Sequence, residues 1–169
     1  GDVLVVLAGR PVIDFRVDHR GFLHVLEPGR TVRCYAPGLP DSALTTATLA
    51  PGPSPEGWSA VTMELRPAGG TYVLERRADQ GRILAHDSRG KLLARSADLP
   101  LGEAMMDGPL GLARTAGGDL LVGVAGGVDR IAADLSTTGP VFRCPAILSD
   151  VFAPAGIWPA SVDSFLVVD

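Results

Sequence analysis

Asparagine is absent from this 169-residue chain, and Gln80 and Lys91 are its sole glutamine and lysine. Without asparagine there is no N-glycosylation acceptor, no Asn-Gly hairpin turn and no asparagine carbonyl to ligate a metal ion. Cysteine is scarce too. Cys34 and Cys144 stand apart with no Cys-x-x-Cys and no Cys/His cluster, which excludes a zinc site of the usual spacing. They read first as unpaired strand or core residues, a bridge between them being the alternative. No apolar run approaches the ~18 residues that cross a bilayer, and the longest, Val3 to Ala8, is strand-sized. Charge of one sign is also lacking: 15 basic residues face 19 acidic ones, for a net charge of −4. The arginines are scattered over all segments and form no single patch in the sequence, which argues against a nucleic-acid backbone as partner. The chain opens Gly1-Asp2-Val3 with neither Met nor a basic n-region, so it reads as a processed chain or an internal segment and points to no particular compartment.

What remains is an apolar fraction of 46% in a chain the size of one domain. The 21 glycines and 14 prolines interrupt it too often for long helices, and a single helical turn over Gly102 to Met106 is the most that is expected. Strand-like runs recur instead. Gly21-Phe22-Leu23-His24-Val25, Gly70-Thr71-Tyr72-Val73-Leu74, Gly118-Asp119-Leu120-Leu121-Val122 and Ser164-Phe165-Leu166-Val167-Val168 return at intervals of roughly 48 residues, a period typical of stacked β units. Each is preceded by a second run: Val12 to Asp18, Ala60 to Pro67, Leu110 to Ala116 and Ile157 to Val162. The second unit divides into strands over Ala60–Arg66, Gly70–Arg76, Arg82–Asp87 and Lys91–Ala97, and the third over Leu110–Ala116, Asp119–Val124, Val128–Asp134 and Val141–Ile147. The first unit finds its fourth strand within Ala43 to Ala50, before a loop over Pro51 to Gly57. Asp18-His19-Arg20-Gly21 and Asp87-Ser88-Arg89-Gly90 are alike: Asp can bond the backbone ahead of it and Gly accepts the positive φ of a tight hairpin.

The run from Gly108-Pro109-Leu110 through Gly117-Gly118-Asp119-Leu120-Leu121-Val122 resembles the opening of an NHL-type blade, with looser copies at Val12 to Val25 and Val61 to Leu74. That resemblance implies an all-β β-propeller of four-stranded antiparallel blades, about 3.5 of them here. The blades fall at 11–51, 58–100, 108–148 and an incomplete 155–169, with 1–9 a strand of a preceding or closing blade. Propellers take four to eight blades. The count therefore implies a segment of a longer propeller, a ring completed by a second copy, or a small closed fold.

Candidate chemistry is sparse. His19 reads as a solvated turn residue, His24 as one face of a strand, and His86 and Asp87 as neighbours pointing to opposite sides. Asp14, Asp18, Glu64 and Asp163 lie on or just after first strands, which in propellers line the channel. Lactonase-like propellers of the regucalcin and gluconolactonase type hold a divalent ion with Glu, Asn and Asp. A chain without asparagine cannot assemble that site in its usual form. Streptogramin-lyase-like propellers depend on a placed histidine, and nothing here sets a histidine near a Glu pair. Ser54-Pro55-Glu56-Gly57-Trp58 has the wrong spacing for a sialidase Asp box, and no Gly-x-x-x-x-Gly-Lys occurs. The expected binding residues are Trp58, Arg76, Arg77, Asp79 and Trp158, because arginine and tryptophan most often anchor interfaces. Their bland reading is that the tryptophans cover seams and the arginines form a solvated turn. The expectation is a non-catalytic scaffold or protein-binding module, with no cofactor or metal of its own and no membrane insertion. A protein partner or additional blades would complete it. The alternative is a metal-dependent lactonase or lyase whose missing ligands lie elsewhere.

Overall fold

The computed structural model describes residues 11–38, 42–101, 110–145, 154, 156–160 and 164–168. The strand expected over Val3 to Ala8, the helical turn expected over Gly102 to Met106, and Asp163 lie outside the described residues. Strands β1 (Asp14–Val17), β2 (Leu23–Glu27), β3 (Thr31–Tyr35) and β4 (Thr45–Thr48) form one antiparallel sheet in chain order. Strands β5 (Ser59–Leu65), β6 (Thr71–Arg77), β7 (Gln80–His86) and β8 (Leu92–Arg95) form a second, joined by the short β9 (Leu99–Pro100), which pairs with the start of β7. The third contains β10 (Leu112–Arg114), β11 (Leu120–Val124), β12 (Gly127–Ile131) and β13 (Thr138–Arg143), and β14 (Gly156–Pro159) pairs with β15 (Phe165–Val168). No helix occurs among the described residues.

One hairpin recurs at the start of every sheet. Asp18 N–H donates to Phe22 O, Arg66 N–H to Gly70 O, Thr115 N–H to Asp119 O and Ala160 N–H to Ser164 O. Three residues on, the N–H groups of Gly21, Gly69 and Gly118 return to the carbonyls of Asp18, Arg66 and Thr115. The residue equivalent to Gly21 and Gly118 is therefore Gly69, one place before the Gly70 that the sequence pattern aligns. Both glycines of that pair have positive φ, 84° and 88°, so composition alone does not tell them apart. In the Asp18 and Asp87 turns the carboxylate accepts two backbone N–H groups, as the sequence pattern expects.

Two departures from the expected strands have a local cause. The last strand of the third sheet starts at Thr138 rather than Val141. It carries Pro140 opposite Asp129, where the register shifts at Val128/Asp129 and a ladder N–H is dispensable. In the second sheet Ser96 interrupts the ladder between β8 and β9. Its N–H donates to Ile83 O while its Oγ accepts from Ile83 N–H, so a side chain stands in for the backbone.

The central strands β6 and β11 are buried on both faces over Thr71–Glu75 and Leu120–Val124, as continuous apolar runs require when a sheet is covered on each side. Three apolar seams result. Leu26, Val32 and Leu49 of the first unit pack with Met63 and Val73 of the second. Tyr72, Leu74 and Ile83 meet Leu112, Leu120 and Val122 of the third. Ala113, Leu121 and Val128 then meet Ile157, with Phe165 and Val167 packed against them. At about 25 cal/mol per Å2 of apolar surface, such seams are the main stabilising term.

His86 closes the first seam. It is 1% exposed, and its Nε2–H donates to Ala50 O at 2.8 Å, while Nδ1 is buried without a partner. Burial is the largest influence on this ring and lowers its pKa from the ordinary 6.5, despite opposing help from the Ala50 carbonyl and Glu75. The unfolded chain thus binds the proton more readily than the folded one. Stability contributed by neutral His86 is present above about pH 6.5 and is lost as pH falls from there towards the lower folded value. Melting temperature should fall between pH 7.5 and 5 in the parent and fall less in His86→Gln, whose amide can still donate to Ala50. An equal slope in both proteins would refute this.

Candidate functional site

First strands stand side by side: β1 packs on β5, β5 on β10 and β10 on β14. Between them lies a cleft of about 570 Å3. The repeated hairpin puts matching positions in register. Asp14, Thr62, Gly111 and Gly156 form one rung of the lining, and Arg16, Glu64, Ala113 and Trp158 the next.

The polar groups of this cleft bind one another. Asp14 Oδ2 accepts from Thr62 Oγ1–H at 2.6 Å and from Met63 N–H at 2.9 Å, and its Oδ1 accepts from Arg16 Nη1 at 2.7 Å. Arg16 Nη2 reaches Thr62 Oγ1 at 3.3 Å and Leu112 O at 3.5 Å, while its Nε lies 3.5 Å from Glu64 Oε2. Glu64 Oε1 accepts from Leu65 N–H. A general acid or base needs a carboxyl free to exchange a proton with substrate. Asp14 and Glu64 are instead occupied as clasps between neighbouring sheets.

The cleft continues into a second cavity of about 630 Å3, under the β1–β2 and β5–β6 turns, with Glu64 and Arg114 lining both. His24 lies here. Its Nε2 is 3.5 Å from Asp18 Oδ2 and 3.9 Å from Cys34 Sγ. A nucleophilic triad places the nucleophile and the orienting acid on opposite nitrogens of the histidine base, whereas one nitrogen faces both groups here. Burial pushes the Cys34 thiol above its ordinary value and the charge of Asp18 adds to the shift, against a hydrogen bond to Thr45, so the reactive thiolate is disfavoured. Burial also opposes charge on Asp18. The N–H groups of Phe22 and Arg20 and the neighbouring His24 outweigh it and hold that carboxyl below 3.8. Among the described residues no group of three His, Cys, Asp or Glu side chains could hold a metal ion. Cys34 and Cys144 are both free thiols.

The binding residues expected from sequence do not form one surface. Trp58 is 7% exposed, not an exposed anchor: guanidinium groups of Arg82 and Arg77 lie over its ring at 4.1 and 4.8 Å. Arg77 also donates to Gln80 Oε1 at 3.3 Å, and Asp79 is exposed in the β6–β7 turn, where Ala78 has a φ of 52°. Arg76 is half-buried. Trp158 sits within β14, in the run expected as a first strand, is 55% exposed, and lines the cleft.

A buried ion cluster lies below Trp58. Glu75, 0% exposed, accepts from Arg30 Nε at 2.6 Å and from Arg82 Nε at 2.9 Å. Arg82 Nη2 approaches Glu75 Oε2 to 2.8 Å without hydrogen-bond alignment, and its Nη1 donates to Pro53 O at 2.6 Å. In the sequence Glu75 falls in the strand expected over Gly70–Arg76 and has no expected role. The available signal was the hairpin pairing of β6 with β7, which sets Glu75 opposite Arg82. Arg16, Arg33, Arg95, Arg130 and Arg143 are also paired with carboxylates.

No known family model matches the chain, and no curated protein does. Solved structures do match. A protein of unknown function from Bacteroides caccae aligns with a TM-score of 0.58 and 14% identity, over 95% of this chain and 53% of its own. A functionally unknown protein from Desulfotomaculum acetoxidans aligns with a TM-score of 0.51 and 14% identity, over 93% of this chain and 48% of its own. The chain thus spans about half the length of each of these structures. At such identity the likeness shows the fold alone: an all-β, propeller-like arrangement of four-stranded antiparallel sheets.

Proposed function

We propose that this chain is a non-catalytic scaffold and binding module of NHL-like blades, completed at both ends by further blades of the same kind. One observation carries the reading. Met63, Leu112 and Ile157 hold the same place in their hairpins and are each buried against the preceding sheet. Phe15 holds that place in the first sheet and is 46% exposed. At the other end, Leu166 matches Tyr72 and Leu121, which are buried, yet Leu166 is 60% exposed beside its cross-strand partner Trp158. Each end therefore presents, uncovered, a position that the interior sheets bury in a seam, and what fits a seam is another sheet.

Sedimentation of the 169-residue chain tests this. It should self-associate through its ends, and Phe15→Ser combined with Leu166→Ser should yield a folded monomer. A parent that sediments as a monomer overturns the reading. A calcium- or zinc-induced rise of several degrees in melting temperature would overturn its non-catalytic part, since a bound ion stabilises by mass action.

A further inference from the structure

Three arginines outside the ion pairs described above gather in one place. Arg20 in the β1–β2 turn, Arg66 just after β5 and Arg114 at the end of β10 line the same cavity of about 630 Å3 at the mouth of the axial cleft. They come from three successive units and look scattered in the sequence. Among the described residues no carboxylate pairs with any of them. The two carboxylates that also line the cavity are engaged: Asp18 with two turn N–H groups and His24, and Glu64 with Leu65 N–H and Arg16. Arg66 donates through Nη1 to His86 O and lies 5.5 Å over the Tyr72 ring, but its Nε is buried without a partner. Arg114 donates through Nε to Leu65 O at 3.1 Å, which fixes the fork and leaves its terminal nitrogens available.

In a chain of net charge −4, three guanidinium groups with no carboxylate partner outnumber the two carboxylates lining the same cavity and leave it locally positive. Guanidinium forks match the paired oxygens of carboxylate and phosphate, and water-restricted surroundings strengthen the contact. The volume is that of a small-molecule site, whereas a polyanion needs a long basic track. We propose that this mouth binds a small organic oxyanion, a carboxylate or phosphate ester, held by Arg20, Arg66 and Arg114 together. The seat is independent of what covers the two ends.

Isothermal titration with citrate and with glycerol 3-phosphate, each against sodium chloride of equal ionic strength, tests it. Saturable binding of either probe is expected, citrate alone assigning a carboxylate and the ester alone a phosphate. Arg114→Gln should weaken binding about tenfold or more, the scale of one lost charge-assisted contact. Arg20→Gln, in an exposed turn whose hydrogen bonds use backbone and Asp18, should weaken it without loss of folding. Arg89→Gln, in the analogous β7–β8 turn outside the cavity, should bind as the parent does. Absence of saturable binding beyond the chloride control overturns the proposal, as does parental affinity in both Arg20→Gln and Arg114→Gln.

Discussion

Replacing Glu75 by Ala should cost about 3–5 kcal/mol, the range for removing one partner of a buried ion pair. The carboxylate is fully buried and joins Arg30, at the β2–β3 turn of the first sheet, to Arg82 in the second. Without it Arg30 can turn towards water, since it retains 21% side-chain exposure, but Arg82 has 2% and cannot. An uncompensated guanidinium would then sit between Trp58 and Pro53. Replacing both charges, Glu75→Leu with Arg82→Met, should restore most of the loss, because apolar groups of similar size need no pairing. Urea denaturation of the three proteins gives the comparison. A loss below about 1 kcal/mol for the single variant would mean that the cluster is worth no more than an exposed pair.

Gly70→Ala should be nearly as damaging, at about 3 kcal/mol or more from backbone strain and overpacking combined. Gly70 has a φ of 88°, and a Cβ there would lie 2.2 Å from His86 O and 2.6 Å from Asp87 C. Both obstacles are main-chain atoms, at the last residue of the neighbouring β7 and the one after it, so no rotamer change relieves them. Gly29→Ala is the control, with a φ of 76° but open space around its Cβ, and should cost only the conformational part. Equal melting temperatures for the two variants would show that crowding against β7 is not the issue.

The sheets were legible in the sequence because what makes them is local. Asp-led turns, glycines of positive φ and apolar runs lie within a few residues of one another, and the second sheet follows its expected strands closely. β9 was not legible, because its pairing depends on the Ser96 hydroxyl taking a backbone place. The early start of β13 was masked by Pro140, which reads as a breaker unless the strand is known to lie at an edge. The candidate site was less visible still. Trp58, Arg76, Arg77 and Asp79 look like a surface group in sequence, but Glu75 beneath them binds arginines from two sheets. The cluster of Arg20, Arg66 and Arg114 exists only once three hairpins stand side by side. Chain distance conceals both.

Arg16 has the widest reach of any cleft residue, touching Asp14 in its own sheet, Glu64 and Thr62 in the next, and Leu112 in the one after. Such a residue behaves as a keystone: its length and its planar fork tie the first strands of three successive sheets together. Lysine keeps the charge but offers a single flexible head, without the fork that bonds in several directions at once. The relative placing of three sheets thus converges on one side chain.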